Sequence, residues 1–145
     1  MDRRPVSGQP LPPISLDHVV IKVSDFAVSD EFYRRVFGAE VAAPYPFFHT
    51  YRIGDRQLNV HGPGAPIPAD RLARYPVEAG NSDLAFQWHG TLEEAVVHLE
   101  ACGAEIIAPD AATAGLKGAG RSVYFRDPDG SLLEFITYPV GQDAP

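Results

Sequence analysis

The chain has a single cysteine among its 145 residues. An internal disulfide is excluded, and a reducing, cytoplasmic setting is expected. A lone Cys102 cannot build a thiolate metal site either. It falls in the last turn of a helical stretch, where a buried structural thiol is the ordinary reading. No apolar run approaches the roughly 20 residues that a membrane-spanning helix needs, so no membrane partner is expected. Arg3 and Arg4 are not followed by an apolar stretch, which argues against a secretory signal. Positive charge is in deficit: 12 Lys and Arg stand against 19 Asp and Glu, a net charge of −7. Such a chain is a poor partner for nucleic acid or an anionic membrane.

What is present is 45% hydrophobic content, enough for one globular core. Residues 1–13 carry Pro5, Pro10, Pro12, Pro13 and Gly8, and read as a disordered or extended tail. A single domain is expected over 14–140, made of repeat units 14–62 and 82–138. The Pro- and Gly-rich stretch 63–81 reads as the linker between them. It either wraps the outside or folds over a pocket mouth.

The two units repeat. His18-Val19-Val20-Ile21-Lys22-Val23 alternates as a strand and leads through Ser24-Asp25 into a helical run ending at Gly38. Asp83-Leu84-Ala85-Phe86-Gln87-Trp88 is again a strand, and Thr91 starts a second helix that stops at Gly103. His18 and Asp83 are 65 residues apart, as are Gly38 and Gly103. Tyr51 precedes His61 by ten residues, and Tyr124 precedes Glu134 by ten, so the hairpins are taken to repeat as well. On that equivalence His18, His61, Asp83 and Glu134 fall in the first and last strands of the units. The fold class read from the repeat is α+β, with two βαβββ units.

Alternation assigns faces. Val19, Ile21 and Val23 point to the helix, whereas His18, Val20 and Lys22 point away. Leu58 and Val60 point to the helix, leaving Gln57, Asn59 and His61 on an unusually polar opposite face. Glu134 lies between Leu132 and Ile136 on its own face, where a carboxylate needs a partner such as a cation. Two imidazoles and two carboxylates suit a divalent Zn, Ni, Mn or Fe ion. Asp83 is either a fourth ligand or the base beside the ion. Tyr51, Asn59, Gln87, Tyr124 and Arg121 are the candidate substrate-binding residues. The glycine-rich stretch Asp110 to Arg121 lacks a GxxxxGK[ST] pattern, so a lid over the site is preferred to a phosphate loop. His89 and His98 read as surface residues.

Leu16-Asp17-His18-Val19-Val20, Phe32-Tyr33, Leu58-Asn59-Val60-His61 and Tyr124-Phe125-Arg126-Asp127-Pro128-Asp129-Gly130 through Leu133-Glu134 resemble the vicinal oxygen chelate superfamily. That superfamily includes glyoxalase I, fosfomycin-resistance proteins, methylmalonyl-CoA epimerase, extradiol dioxygenases and bleomycin-binding proteins. The resemblance runs from about Ser15 to Tyr138, and is greatest to small glyoxalase-domain-containing proteins. It implies that the units form a cupped, barrel-like mixed sheet with helices outside, and that paired units enclose a divalent metal held by His18, His61, Asp83 and Glu134, with Glu134 and Asp83 as catalytic carboxylates. Asp83 departs from the histidine that several members place there. The implied function is a metal-dependent lyase or isomerase of glyoxalase type acting on a small oxygenated molecule. The alternatives are an Fe(II) extradiol-type dioxygenase and a non-catalytic antibiotic-binding protein. A homodimer is expected, because units of two chains often pair in this superfamily.

Overall fold

The structure is a computed structural model and describes residues 12–141. The tail expected over 1–13 lies outside the described residues up to residue 11. The first unit comprises β1 (His18–Lys22), α1 (Phe26–Phe37), β2 (Glu40–Tyr45), β3 (Phe48–Ile53) and β4 (Arg56–His61). The second comprises β5 (Asp83–Gln87), α2 (Leu92–Ala101), β6 (Glu105–Gly115), β7 (Gly118–Arg126) and β8 (Leu132–Thr137). Each unit forms one four-stranded sheet, in the orders β1-β4-β3-β2 and β5-β8-β7-β6. The β1–β4 and β5–β8 pairs are parallel and the others antiparallel, so both sheets are mixed. This is the expected α+β class, with cupped sheets that do not close.

The helices start and stop where their caps dictate. The Asp25 carboxylate accepts from the amides of Ala27 and Val28, and Gly38 ends α1 in the left-handed region at φ 63°. Thr91 accepts from the amide of Glu94 at the start of α2. The C-terminal ends of the two helices are tied together. Arg35 Nε donates to the Cys102 carbonyl at 2.9 Å, and His98 Nε2 donates to the Val36 carbonyl at 2.8 Å. His98 is therefore half-buried, its ring 5.3 Å from that of Trp88, and not the surface residue expected from sequence. The Cys102 thiol points at His98 and the Arg35 carbonyl, which fits the structural role expected of it.

One core serves both sheets. Tyr33 of α1 packs on Tyr51 of the first sheet at 4.8 Å, while Phe37 packs on Phe86 and Phe135 of the second at 4.7 and 5.4 Å. Ile21, Val23, Leu58 and Val60 line the core from one side, and Val123, Phe125, Leu133 and Phe135 from the other. Each such side chain contributes about 1.5–3 kcal/mol by leaving water. Because α1 touches the inner faces of both sheets, the alternate residues of every strand turn outward from this core. The helices thus lie behind two open faces. One carries His18, Asn59 and His61, and the other carries Asp83, Tyr124 and Glu134.

One connection differs from expectation, and another takes one of its two expected courses. Asp110 to Arg121 is not a loop but most of a β6–β7 hairpin, paired from Ala111↔Ser122 to Gly115↔Gly118. Two of its glycines, Gly115 and Gly120, are packing residues, and Gly118 takes a positive φ of 101° at the turn. A Cβ on Gly115 would sit 2.4 Å from the Tyr138 hydroxyl, and one on Gly120 would sit 2.5 Å from the Thr137 carbonyl. The extra length expected in the second unit lengthens this hairpin instead of forming a lid. Meanwhile the segment after β4 does not stay clear of the sheets. It carries a one-turn 3-10 helix (Ala69–Arg71) and folds across the open face of the first sheet, where Glu78 meets Lys22 Nζ at 3.3 Å.

Candidate metal centre on two open faces

The ladder registers place the candidate ligands. In the first sheet His18 is opposite Gln57, Val20 opposite Asn59 and Lys22 opposite His61. In the second, Asp83 is opposite Leu132 and Ala85 opposite Glu134. Asp83 is therefore the counterpart of His18, as expected. The counterpart of Glu134 is Asn59, not His61, which corresponds to Ile136. The equal ten-residue spacings misled because the turns differ. Ile53 pairs Arg56 across two residues, whereas Arg126 pairs Leu132 across five. Tyr124 is thus the direct partner of Glu134, but Tyr51 pairs Leu58.

Asp83 and Glu134 come together on the second open face. Glu134 is half-buried and accepts a hydrogen bond from Ser122 Oγ. Ser122 is 0% exposed, and its one proton goes to Glu134, so Thr113 Oγ1, 2.6 Å away, donates to Ser122. Tyr124 stands beside the pair. Its phenol is pushed up by desolvation first, then by the charge of Glu134, its hydrogen bond to Glu134 and the charge of Asp83. Tyr124 is therefore a neutral donor facing two carboxylates. Sequence reasoning missed Ser122 and Thr113. The available signal for Ser122 was its position two residues before Tyr124, on the same face as Glu134.

On the first open face His18 is 39% exposed, and its Nδ1 donates to Asp17 Oδ2 at 2.8 Å. In the neutral ring this leaves the Nε2 lone pair outward, the arrangement in which a carboxylate orients an imidazole for a metal. Asn59 lies diagonal to His18, its Oδ1 held by Gln57 Nε2 at 2.7 Å. His61 sits four residues further along the paired strands, about 13 Å from His18 at strand rise. Burial lowers the His61 pKa, and the neighbouring Lys22 charge lowers it further, so its ring is neutral at pH 7. It packs on Phe48 and lines a pocket of its own with Lys22.

Two candidate substrate residues are elsewhere. Tyr51 points inward and is 0% exposed, its hydroxyl donating to Asp30 Oδ1 at 2.8 Å, so it is a core residue. Arg121 shares the inward side of β7 with Val123 and Phe125, pairs with Asp110 and borders the start of α2, away from Glu134. Gln87 lies at the end of β5 and borders a cleft of about 540 Å³ between the β1 and β5 edges. His18 and Gln57 border the same cleft, and Val36 and Phe37 of α1 lie at its base.

The four expected ligand side chains do not converge within one chain. Among the described residues, no three His, Cys, Asp or Glu side chains are gathered to hold a metal ion. The donors come instead as two half-sets, on faces separated by the helices.

The comparisons with known proteins agree with this frame. Residues 15–135 match the family described as Glyoxalase/Bleomycin resistance protein/Dioxygenase superfamily. Over 130 residues the chain is 32% identical to the glyoxalase domain-containing protein RDO1 of Mycosarcoma maydis, covering 90% of this chain and 70% of that protein. It is 28% identical to virulence protein STM3117 of Salmonella typhimurium, covering 85% and 83%. An integron cassette protein from the mobile metagenome of V. cholerae superposes with a TM-score of 0.79 at 31% identity, over 90% of this chain and 100% of that one. Lactoylglutathione lyase from Agrobacterium tumefaciens shares the fold with a TM-score of 0.67 at 22% identity, over 90% and 96%. The FosX fosfomycin resistance protein from Listeria monocytogenes, solved with Mn(II) and a dihydroxypropylphosphonic acid, does so with 0.59 at 21%, over 89% and 94%. A matched span of that length, on two βαβββ units with their polar faces turned outward, settles the family: the chain belongs to the Glyoxalase/Bleomycin resistance protein/Dioxygenase superfamily.

Proposed function

We propose that the protein is a divalent-metal-dependent enzyme of glyoxalase type that acts on a small oxygenated molecule, as a homodimer with shared sites. His18 Nε2 of one copy, with Asp83 and Glu134 of the other, would hold a Zn, Ni, Mn or Fe ion. Asn59 would stand beside it as a neutral donor or acceptor. His61 is assigned to the adjoining pocket. The observation that carries this reading is the matched ladder register. It sets His18 and Asp83, and Asn59 and Glu134, at equivalent places on two outward faces. FosX, which shares the fold, was solved with Mn(II), which supports a divalent ion as the cofactor.

When bound, the ion supplies Lewis-acid stabilisation of an oxyanion. The chain's own groups handle the proton. Asp83, exposed at the start of β5, would be either the third ligand or the group that accepts a proton from a carbon next to a carbonyl. Glu134 is held in one orientation by Ser122, and through it by Thr113. Tyr124, kept protonated, donates to the carboxylate or to a substrate oxygen.

The test is proton exchange in D2O. Protein reconstituted in turn with Mn²⁺, Ni²⁺, Zn²⁺ and Fe²⁺ is expected to exchange the α-proton of a hemithioacetal, a 2-oxo acid or an acyl thioester. Asp83→Asn is expected to slow that exchange by about 10²-fold or more, as for loss of a general base. No exchange with any ion across all three classes contradicts the lyase and isomerase reading. Oxygen uptake on adding catechol to the Fe²⁺ form would establish the dioxygenase reading instead.

A further inference from the structure

The segment after β4 encloses a second pocket of about 390 Å³ on the open face of the first sheet. Its floor is Val20, Lys22 and His61, and its roof includes Ile67, Arg71 and Val77. The charges are unbalanced. Lys22 and Arg71 bring two cations, and Glu78 brings one carboxylate. The Lys22–Glu78 pair is loose: its separation is 3.3 Å and the Glu78 side chain is 63% exposed. A pair with one partner largely in solvent contributes little and exchanges readily for a better anion. Apart from the His61 ring, the walls beside the charges are aliphatic, which suits a hydrocarbon chain. The pocket also adjoins the row of Asn59 on the same sheet face. Val20 lies opposite Asn59, one side-chain row before Lys22 and His61, about 7 Å along the strand.

We propose that this pocket takes the anionic end of an acyclic carboxylic acid, so that the substrate of the metal centre is an oxygenated aliphatic acid. The carboxylate sits between Lys22 Nζ and the Arg71 guanidinium and displaces Glu78. The chain runs over Val20 past Ile67, and the oxygenated carbons reach the row of Asn59. This deepens the metal-enzyme reading and rests on it for the reacting end only, because the anion site itself needs no metal.

The test is therefore run on metal-free, full-length protein, by calorimetric titration with three probes of one length: adipate, adipamic acid and adipamide. Adipate and adipamic acid are expected to bind, and adipamide to bind at least tenfold more weakly. Lys22→Met and Arg71→Ala are each expected to weaken adipate about tenfold, whereas Glu78→Gln, which removes the competing carboxylate, is expected to tighten it severalfold. Equal binding of adipamide and adipate, or an unchanged adipate affinity in Lys22→Met, overturns the proposal. Elemental analysis of the same variants separates the two readings. Wild-type metal content in Lys22→Met with unchanged adipate affinity removes the anion pocket and leaves the metal centre standing. Absence of metal in the wild type removes the metal centre, while the adipate titration still decides the pocket.

Discussion

Replacing Glu134 with alanine is expected to lower divalent-metal affinity by well over about 100-fold and to abolish turnover. Loss of a mere outer partner costs about 10–100-fold, and in the proposed function Glu134 is a ligand itself. The side chain sits on an open face between Leu132 and Ile136, with a fixed donor at Ser122 and Tyr124 directly across the ladder. Those two hydroxyls accommodate part of its charge, and the outward oxygen is left for a cation. Glu134→Gln separates charge from shape. The amide oxygen still accepts from Ser122, so the fold and the Ser122–Thr113 chain persist, yet the anionic donor is gone. The expected result is wild-type thermal stability with metal affinity reduced as in Glu134→Ala, read by elemental analysis and by titration. A Gln variant that retains full metal content would make Glu134 a rim residue on a half-exposed strand.

The second large effect is on stability. Asp127→Ala is expected to destabilise the fold by about 3 kcal/mol, the cost of leaving several buried donors without an acceptor. At about 3 °C per kcal/mol for a chain of this size, Tm falls by about 10 °C. The Asp127 carboxyl is buried and accepts from the amides of Asp129 and Ser131, each at 2.9 Å, and from the Tyr33 hydroxyl at 3.1 Å. It therefore shapes the β7–β8 turn and fastens that turn to α1 of the other unit. Asp129 adds to the fastening by accepting from the amide and hydroxyl of Ser24. Asp127→Asn keeps an acceptor for the turn amides and is expected to cost less than half as much.

The two variants also differ with pH. Burial raises the Asp127 pKa above the ordinary carboxyl value, against the lowering effect of its hydrogen bonds. Its charge thus costs stability that is absent below the ordinary carboxyl range and appears as pH rises through the raised value. Wild-type stability relative to Asp127→Asn is expected to improve as pH falls towards 4. Denaturant titrations of both proteins at several pH values check the sign.

Local chemistry made much of this legible from sequence. Asp25 and Gly38 bound α1, and Asp127-Pro128-Asp129-Gly130 marks its turn, because capping and turn geometry depend on a few adjacent residues. The faces of β1, β4, β5 and β8 followed from alternation, and burial of Ile21, Val60, Leu133 and Phe135 agrees with it. Ladder register was not legible in the same way. It depends on turn length, and the five-residue turn before β8 against the two-residue turn before β4 moved the equivalence from His61 to Asn59. Tyr51 and Arg121 were misplaced for a related reason: being on a strand near the site says nothing unless the parity is fixed. The fold-back of the segment after β4 depends on contacts such as Lys22–Glu78 between residues 56 positions apart, which no local pattern encodes. Nor does any local pattern reveal that both sheets share α1, which separates His18 from Asp83 and Glu134.

That separation gives the account its sharpest consequence. His18→Ala and Glu134→Ala each remove one half of every site, but from different sheets. If sites are built across two copies, a dimer of one variant with the other holds one intact site and one doubly impaired site. The decisive measurement is the metal content of the two variants purified separately, then denatured together one-to-one, refolded, loaded with excess metal and freed of unbound metal. The account predicts almost no metal in either variant alone. It predicts recovery of about a quarter of the wild-type content in the mixture, since half of randomly formed dimers are mixed and each has one good site. A mixture that binds no more metal than its separate components would contradict it and return the centre to a single chain.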